Sequence, residues 1–514
     1  MAAVTSGAPD LACTASAELV GSLRRQLGAR VVETHVSWVL LDSRYAWKIK
    51  KPVKLPFLDF SDLATRARLC FEELRLNRRL APVLYVDVVP IHGTPAAPRL
   101  HGDGPAIEYA LRMHQFPAGA LLSEQLAAGK LQPGHLGRLA KRLADFHAAA
   151  ERAGPQTPYA TPEVVEGDSL RAVEGLVLHG AAAADCDTLR SWLQLQAPRL
   201  RPVWQDRRRA GRVREGHGDL HLANAVLLAG EVTAFDCLEF DPALRWIDVF
   251  SDIAFLAMDL LAHGRGDLAF CFLNAYLDES GDHAGLPVLR WYLVYRAMVR
   301  ALVAHIRSGQ GAVHSGPDHL ALALRLATPG DARLLVTHGV SGSGKSWIAQ
   351  RLLQQAQAIR LRSDVERKRL FGLRALDASA PKVPGGIYGA GATRRTYARL
   401  HEAARLALAA GQRVIVDAAF LRRAERDAFR RLAQDCRVPF TLLHCAAPPA
   451  LLRERVRARG VRGDDASEAD LPVLEAQLTA TEPLAPDEQA GTITVDTGST
   501  VDIDTLAARW LAAP

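Results

Sequence analysis

Gly339-Val340-Ser341-Gly342-Ser343-Gly344-Lys345-Ser346 follows the apolar run Arg333 to Thr337 and opens the helically patterned run Trp347 to Gln354. A strand, a glycine-rich turn and a helix therefore succeed one another within about two dozen residues. Glycines let successive backbone N–H groups turn inward, which makes a concave cradle for anions. The first turn of the helix adds its partial positive charge to that cradle. The spacing satisfies GxxxxGK[ST] in the strand-then-helix context that this phosphate-binding motif requires. The competing reading is a Gly/Ser-rich turn that matches by accident. On the motif reading, Gly339, Ser341, Gly342, Ser343 and Gly344 line the phosphates, Lys345 reaches the β- and γ-phosphates, and Ser346 ligates a metal. ATP and Mg²⁺ are the cofactors this predicts.

Outward from the loop, strand-like runs alternate with helical ones: Arg333 to Thr337, Ala358 to Leu361, Arg413 to Val416, Phe440 to His444 and Thr492 to Val495. Such alternation predicts a parallel α/β sheet. Asp364 follows the second strand, at the edge where open α/β sheets hold ligands. It can accept the proton of an attacking hydroxyl, cap the helix Val365 to Phe371, or do both. Val414-Ile415-Val416-Asp417 has the apolar-strand-then-Asp form that places a carboxylate on Mg²⁺. Leu451 to Gly460 carries Arg453, Arg455, Arg457 and Arg459, followed by Asp464 and Asp465. Arg455 and Arg459 are candidates to close over a transferring phosphoryl group; the alternative is a solvated basic face. Leu334 to Leu511 resembles the P-loop kinase group of gluconate kinase, polynucleotide kinase and zeta toxin. The resemblance rests on the loop, Arg-Ser-Asp-Val-Glu-Arg-Lys at 362–368, Val-Ile-Val-Asp-Ala-Ala-Phe at 414–420, and the arginine-bearing lid. It implies that Asp364 positions or deprotonates the acceptor.

Thr328-Pro329-Gly330-Asp331 breaks the pattern, and the chain before it is organised differently. His217-Gly218-Asp219-Leu220-His221-Leu222-Ala223-Asn224 sets Asp and Asn five residues apart, and Asp236 ends a hairpin expected to turn at Gly230-Glu231. A kinase-like fold needs this set: Asp219 orients or deprotonates a hydroxyl while Asn224 and Asp236 hold metal. Residues 30–305 resemble the aminoglycoside phosphotransferase and choline kinase families. That resemblance implies that Lys48 contacts the α/β-phosphates and that Glu73 is its helix partner. Lys50, two residues on and on the same strand face, competes with Lys48, and Glu72 competes with Glu73. Glu239 and Asp241 are further carboxylates near Asp236. No GxGxxG precedes Lys48, so Glu33 to Ser37 would cover the phosphates. The expected fold class is α/β and α+β: a bilobal protein-kinase-like (aminoglycoside phosphotransferase-like) domain, then a P-loop NTPase parallel α/β sandwich. The expected division is 1–29 extension, 30–307 kinase-like domain, 308–331 linker and 332–514 P-loop domain. Both halves in this order resemble bacterial bifunctional aminoglycoside phosphotransferase-like/ATP-binding proteins, with Tyr45 to Pro52, Phe57 to Phe60 and Leu74 to Pro82 adding to the likeness. Glu163, Glu166 and Asp168 are the nearest thing to an acidic cluster for a polycationic acceptor.

The 514 residues are 49% hydrophobic and 23% charged, a globular composition. The seven cysteines form no CxxC pair, which argues against a zinc site or disulfide framework and fits a cytoplasmic protein. The apolar run Phe250 to Ala262 is broken by Asp252 and Asp259, so no membrane span is expected. The net charge is +7, yet basic and acidic residues are interleaved, which makes nucleic acid a weaker candidate partner than a small hydroxyl compound. Only nine of the 63 basic residues are lysines, four of them at 48–54 and one in the glycine-rich loop. Three functions remain: an enzyme with two phosphotransfer centres, a regulatory ATP-binding protein with a non-catalytic kinase-like domain, and a nucleic-acid end kinase.

Overall fold

The computed structural model describes residues 11–55, 58–309, 316–379, 387–462 and 465–513. The first ten residues of the expected extension, Phe57, residues 310–315 of the expected linker, and Asp464 lie outside the described residues. The chain forms two compact units: one from the described residues of Met1–Leu131 and Arg214–Ile247, the other from those of Gln132–Val213 and Asp248–Pro514.

The first unit is built on an antiparallel sheet with spatial order Arg30–Glu33, Ser37–Leu41, Tyr45–Lys50, Glu108–His114, Tyr85–Thr94 and Ala97–Arg99. Between Val31 and Lys51 the chain runs through three strands. Thr34 makes the first turn by accepting from Ser37 N–H at 2.9 Å while its own N–H reaches Ser37 O at 2.8 Å. Alternation along Tyr45–Lys50 sends Trp47 and Ile49 into a cluster with Leu19 and Leu23 of the helix Leu11–Leu27. Ala46, Lys48 and Lys50 share the opposite face, where Ala46 packs with Leu84 and Leu111. The helix Leu63–Asn77, capped by Asp62, buries Arg66, Leu69, Cys70, Glu73, Leu76 and Asn77, a stripe with helical period. Glu73 lies on that stripe and Glu72 does not. The hairpin Ala225–Leu228/Glu231–Ala234 turns one residue earlier than expected, at Ala229-Gly230. Both have positive φ (49° and 85°), which suits the twist of a two-residue hairpin turn.

The second unit contains the P-loop sheet. Its five parallel strands run in the order Ile359–Arg362, Arg413–Asp417, Arg333–His338, Phe440–Ala446, Thr492–Asp496. Each lies within a residue or two of its sequence expectation. One face packs the helices Lys345–Gln355 and Ile503–Ala512 through Ile348, Leu352, Leu506 and Trp510. Ala390–Ala409 and Arg423–Cys436 also pack against the sheet.

The helices Pro133–Ala149, Pro162–Leu178, Ala183–Arg209, Val249–Ala262, Gly266–Ser280 and Leu286–Gly309 belong to this same unit. One of them covers the edge strand. Buried Asn274 donates to Ala358 O at 2.9 Å and accepts from Arg360 N–H at 2.6 Å, satisfying backbone that would otherwise stay unpaired. Asn274→Ala is expected to lower stability by about 2 kcal/mol, the cost of stranding two buried backbone groups, read as a lower urea midpoint at unchanged slope. Within the helices, Glu163 and Glu166 pair with Arg201 and Asp168 pairs with Arg171, so these carboxylates are already matched by arginine. No helix of the described residues is long and apolar enough to cross a membrane.

Candidate functional site

The strand Arg333–His338 is buried along its whole length and delivers the chain directly into the glycine-rich loop. Gly339 and Gly342 have φ of 143° and 82°, and a Cβ on either would meet a carbonyl oxygen, Cys445 O at 2.6 Å or Leu452 O at 2.8 Å. Gly344, at φ 82°, is the N-cap of the helix Lys345–Gln355. The loop thus needs glycine for both conformation and space.

Lys345 is half-buried and donates through Nζ to Val340 O at 2.8 Å. Desolvation pushes its pKa down, opposed by Asp417, Cys445 and Asp364, so the ammonium is poorly solvated where it stands. Ser346 Oγ donates to Asp417 Oδ1 at 3.0 Å. The other oxygen, Asp417 Oδ2, is buried with no hydrogen-bond partner among the described residues, and Arg362 Nε lies 4.0 Å away. Parallel register explains the meeting, because Val336 pairs with Val416 and both strands end at the same sheet edge.

Asp364 stands in the first turn of the helix Ser363–Arg369, whose N-cap is Arg362. The capping role considered for Asp364 is therefore not the one seen, and its carboxyl lines the cavity beside Ser346 and Lys345. That cavity measures about 1060 Å³. Arg455 and Arg459, on the helix Pro449–Arg462, also line it. Arg455 donates to Gly342 O at 3.3 Å and to Thr497 O at 2.6 Å, and Arg459 to Ala469 O at 2.6 Å. Arg453 instead pairs with Glu475 at 2.7 Å. Sequence reasoning missed Arg367, Tyr388, Tyr397 and Gln477, all of which face the cavity. Arg367 is buried, stacks over Tyr388 at 5.2 Å, and its Nε has no partner among the described residues. An arginine three residues after Asp364 on one helix was the available signal.

His338 ends the first strand, buried against His444 with ring centroids 4.9 Å apart, and its Nδ1 meets Phe420 O at 3.0 Å. Burial pushes its pKa down to about 4. Below about 6.5 the unfolded imidazole takes a proton that the folded one refuses until about 4, so stability falls with pH across that window. The loss is expected to reach about 3 kcal/mol by pH 4, with none above pH 6.5. His338→Asn should flatten Tm between pH 4 and 6.5.

The second constellation lies wholly in the first unit. Lys48 Nζ meets Glu73 Oε1 at 2.7 Å and Asp236 Oδ1 at 2.6 Å. Lys50 meets the other Glu73 oxygen at 2.6 Å, and Glu239. The lysine side chains differ in depth, 16% exposed for Lys48 and 1% for Lys50. Burial opposes ionisation of Glu73, but the two ammonium groups outweigh it and hold the carboxyl down to about 2. Burial raises the pKa of Glu239 despite Lys50. Glu72 points elsewhere, to Arg75 and Arg245 at 2.8 Å each. Asp241 accepts from Ala243 N–H at 2.8 Å, capping its own short helical turn.

Asn224 donates to both Asp219 O (3.0 Å) and Asp219 Oδ2 (2.9 Å), while its own carbonyl accepts from Phe235 N–H at 2.9 Å. Gly218 has φ 85° and lies where a Cβ would meet Leu244 O at 2.7 Å. His217 holds the loop by its Nε2 contact with Phe235 O at 2.9 Å. His221 Nε2 is 3.4 Å from Asp219 Oδ2, and its Nδ1 accepts from Ala223 N–H. Asp236 adopts φ 65°, uncommon for a residue with a Cβ, and its N–H donates to Tyr85 Oη at 3.1 Å. The structure thus joins Lys48, Glu73 and Asp236 directly, and Asp219 with Asn224 directly.

Residues 334–484 match the AAA domain family AAA_33. A sugar kinase structure from Janibacter sp. HTCC2649 is 23% identical, with 35% of this chain and 95% of that one covered and a TM-score of 0.28. An ethanolamine kinase structure from Plasmodium vivax is 11% identical, with 58% of this chain and 81% of that one covered and a TM-score of 0.34. An uncharacterized protein of Mycobacterium tuberculosis (strain ATCC 25618 / H37Rv) is 30% identical over 469 residues, 87% of this chain and 89% of the relative. At that identity and coverage the chain belongs to the family of this mycobacterial protein, and its residues 334–484 are the part that matches AAA_33.

Proposed function

We propose that the second unit is an ATP-dependent phosphotransferase acting on a hydroxyl of a small molecule, and that the first unit holds a second ATP site. The observation that carries this reading is the Ser346–Asp417 contact at 3.0 Å, with Asp417 Oδ2 buried and without a hydrogen-bond partner among the described residues, and with the Asp417 charge acting on the Lys345 ammonium. A hydroxyl and a carboxylate are the hard oxygen donors that Mg²⁺ takes, usually together with substrate phosphates. Mg²⁺ held by Ser346 and Asp417 would neutralise phosphate charge. Lys345 would hold the β- and γ-phosphates, and Asp364 would orient the acceptor hydroxyl or take its proton as the new O–P bond forms and ADP leaves. Arg455 and Arg459 would stabilise the transferring group from the lid. The buried guanidinium of Arg367 would meet the acceptor.

In the first unit, Lys48 and Glu73 would hold the second ATP, Asn224 and Asp236 its metal, and Asp219 the acceptor. A second reading makes this unit a regulatory nucleotide sensor without turnover. The Lys48–Asp236 contact at 2.6 Å favours it, because the lysine already offsets the carboxylate charge that a metal would be drawn to. A cytoplasmic location goes with either reading, and the described cysteines are free thiols.

The test is transfer from labelled ATP to a panel of hydroxyl metabolites and 5′-hydroxyl oligonucleotides. It uses the full chain, Asp219→Ala, Lys345→Ala and the double mutant. Loss of transfer in Lys345→Ala supports the reading, whereas undiminished transfer and binding in that variant refutes it for the second unit. If Asp219→Ala changes no acceptor, the sensor reading of the first unit stands. Labelling confined to oligonucleotides, with affinity falling steeply in salt, would make the protein an end kinase instead.

A further inference from the structure

The peptide unit joining Val340 and Ser341 is gripped from both ends. Its carbonyl oxygen accepts from Lys345 Nζ at 2.8 Å, and its N–H donates to Gln477 Oε1 at 2.7 Å. The lysine of this motif serves the β- and γ-phosphates, so the N–H of the adjoining peptide lies at the terminal-phosphate end of the loop. Gln477 arrives from 136 residues away, on the helix Leu471–Ala480. Packing holds it there: Leu474 of the same helix is buried with Val340 of the loop and with Leu452 and Val456 of the lid helix, and Leu471 and Leu478 border that cluster. Gln477 also lines the large cavity with Lys345, Ser346 and Asp417.

We propose that Gln477 is a specificity-determining residue that discriminates nucleoside triphosphate from diphosphate by competing for the Ser341 N–H. The inference rests on the reading that this loop binds ATP. One N–H serves one strong acceptor, so a terminal phosphate oxygen and the carboxamide oxygen exclude each other there. A diphosphate seated at the helix start, on the N–H groups of Gly344, Lys345 and Ser346, does not need that donor. Gln477 therefore weakens triphosphate binding selectively, and its displacement links occupancy of the terminal-phosphate position to the helix Leu471–Ala480 and, through Leu474, to the lid.

Calorimetric titration of the full chain with the non-hydrolysable triphosphate AMPPNP and with ADP, each with Mg²⁺, tests this. The quantity read is the component of binding that disappears in Lys345→Ala, so the first unit does not contribute. Gln477→Ala is expected to tighten AMPPNP about five- to tenfold, the scale of one neutral hydrogen bond, and to leave ADP within about twofold. Gln477→Glu, whose carboxylate accepts more strongly and repels phosphate, is expected to weaken AMPPNP at least about fivefold with ADP far less affected. Equal changes for both nucleotides in Gln477→Ala, or selective weakening of AMPPNP, overturn the proposal, the latter making Gln477 a phosphate ligand. If AMPPNP and ADP show no Lys345-dependent binding at all, the ATP reading of the loop fails and takes this inference with it. Gln477 is only half-buried, so Tm values near that of the wild type will verify that both variants fold.

Discussion

Lys345→Ala is expected to lower phosphoryl transfer by the second unit about 10²- to 10³-fold or more without lowering its stability. The rate loss follows from removing a preorganised positive charge where negative charge is handled away from bulk water, which costs on that order per donor. The stability expectation runs against the usual rule for buried side chains. The ammonium is poorly solvated, its hydrogen-bond partners among the described residues are Val340 O and Ser343 Oγ, and desolvation depresses its pKa despite Asp417 and Asp364. A lysine whose folded pKa lies below its ordinary value destabilises the fold at neutral pH, because folding disfavours the proton the unfolded chain carries. Its removal should therefore leave Tm unchanged or raised, in contrast to a core truncation. Steady-state transfer assays and a thermal melt on the same preparation check both halves. A large fall in Tm would mean that Lys345 holds the loop together through Val340, making it a structural residue first.

Lys50→Met is expected to destabilise the first unit by about 3–5 kcal/mol, the cost of removing one partner of a buried ion pair. Lys50 is 1% exposed and its partners Glu73 and Glu239 are buried. Glu73 keeps Lys48, but Glu239 loses the lysine that opposes its desolvation. Burial already holds the Glu239 pKa above its ordinary value. A raised acid pKa contributes stability below the unfolded value that is lost as pH rises through the folded one. The variant should accordingly lose more stability at pH 8 than at pH 5, which chemical denaturation at both values measures. Lys50→Met with Glu239→Gln removes the charge from both sides and should recover much of the loss. Lys48→Met should cost less stability, because its side chain is 16% exposed, and should cost more nucleotide binding.

The division between Lys48 and Lys50 marks where sequence reading ends. Strand alternation places both on one face from the sequence alone. Their different depths come from which acids the helix Leu63–Asn77 and the segment after the hairpin bring to them. Glu72 and Glu73 are neighbours in the chain but about 100° apart around a helix, and only the seating of that helix against the sheet turns Glu73 inward. Asp364 was ambiguous for a similar reason. Whether a carboxylate caps a helix or stands inside it depends on where the preceding strand stops, and that strand runs to Arg362, one residue further than expected.

The glycine-rich loop, the five strands and the order of the sheet-forming runs were legible because each is written within a handful of consecutive residues. Apolar periodicity, glycines at positive φ and a lysine at the helix start are local properties that short stretches of chain carry with them. Gln477 on Ser341 and Asn274 on the edge strand carry no such local mark. Each depends on packing between segments dozens to more than a hundred residues apart, and a side chain gains its role there only once burial removes water as the competing partner.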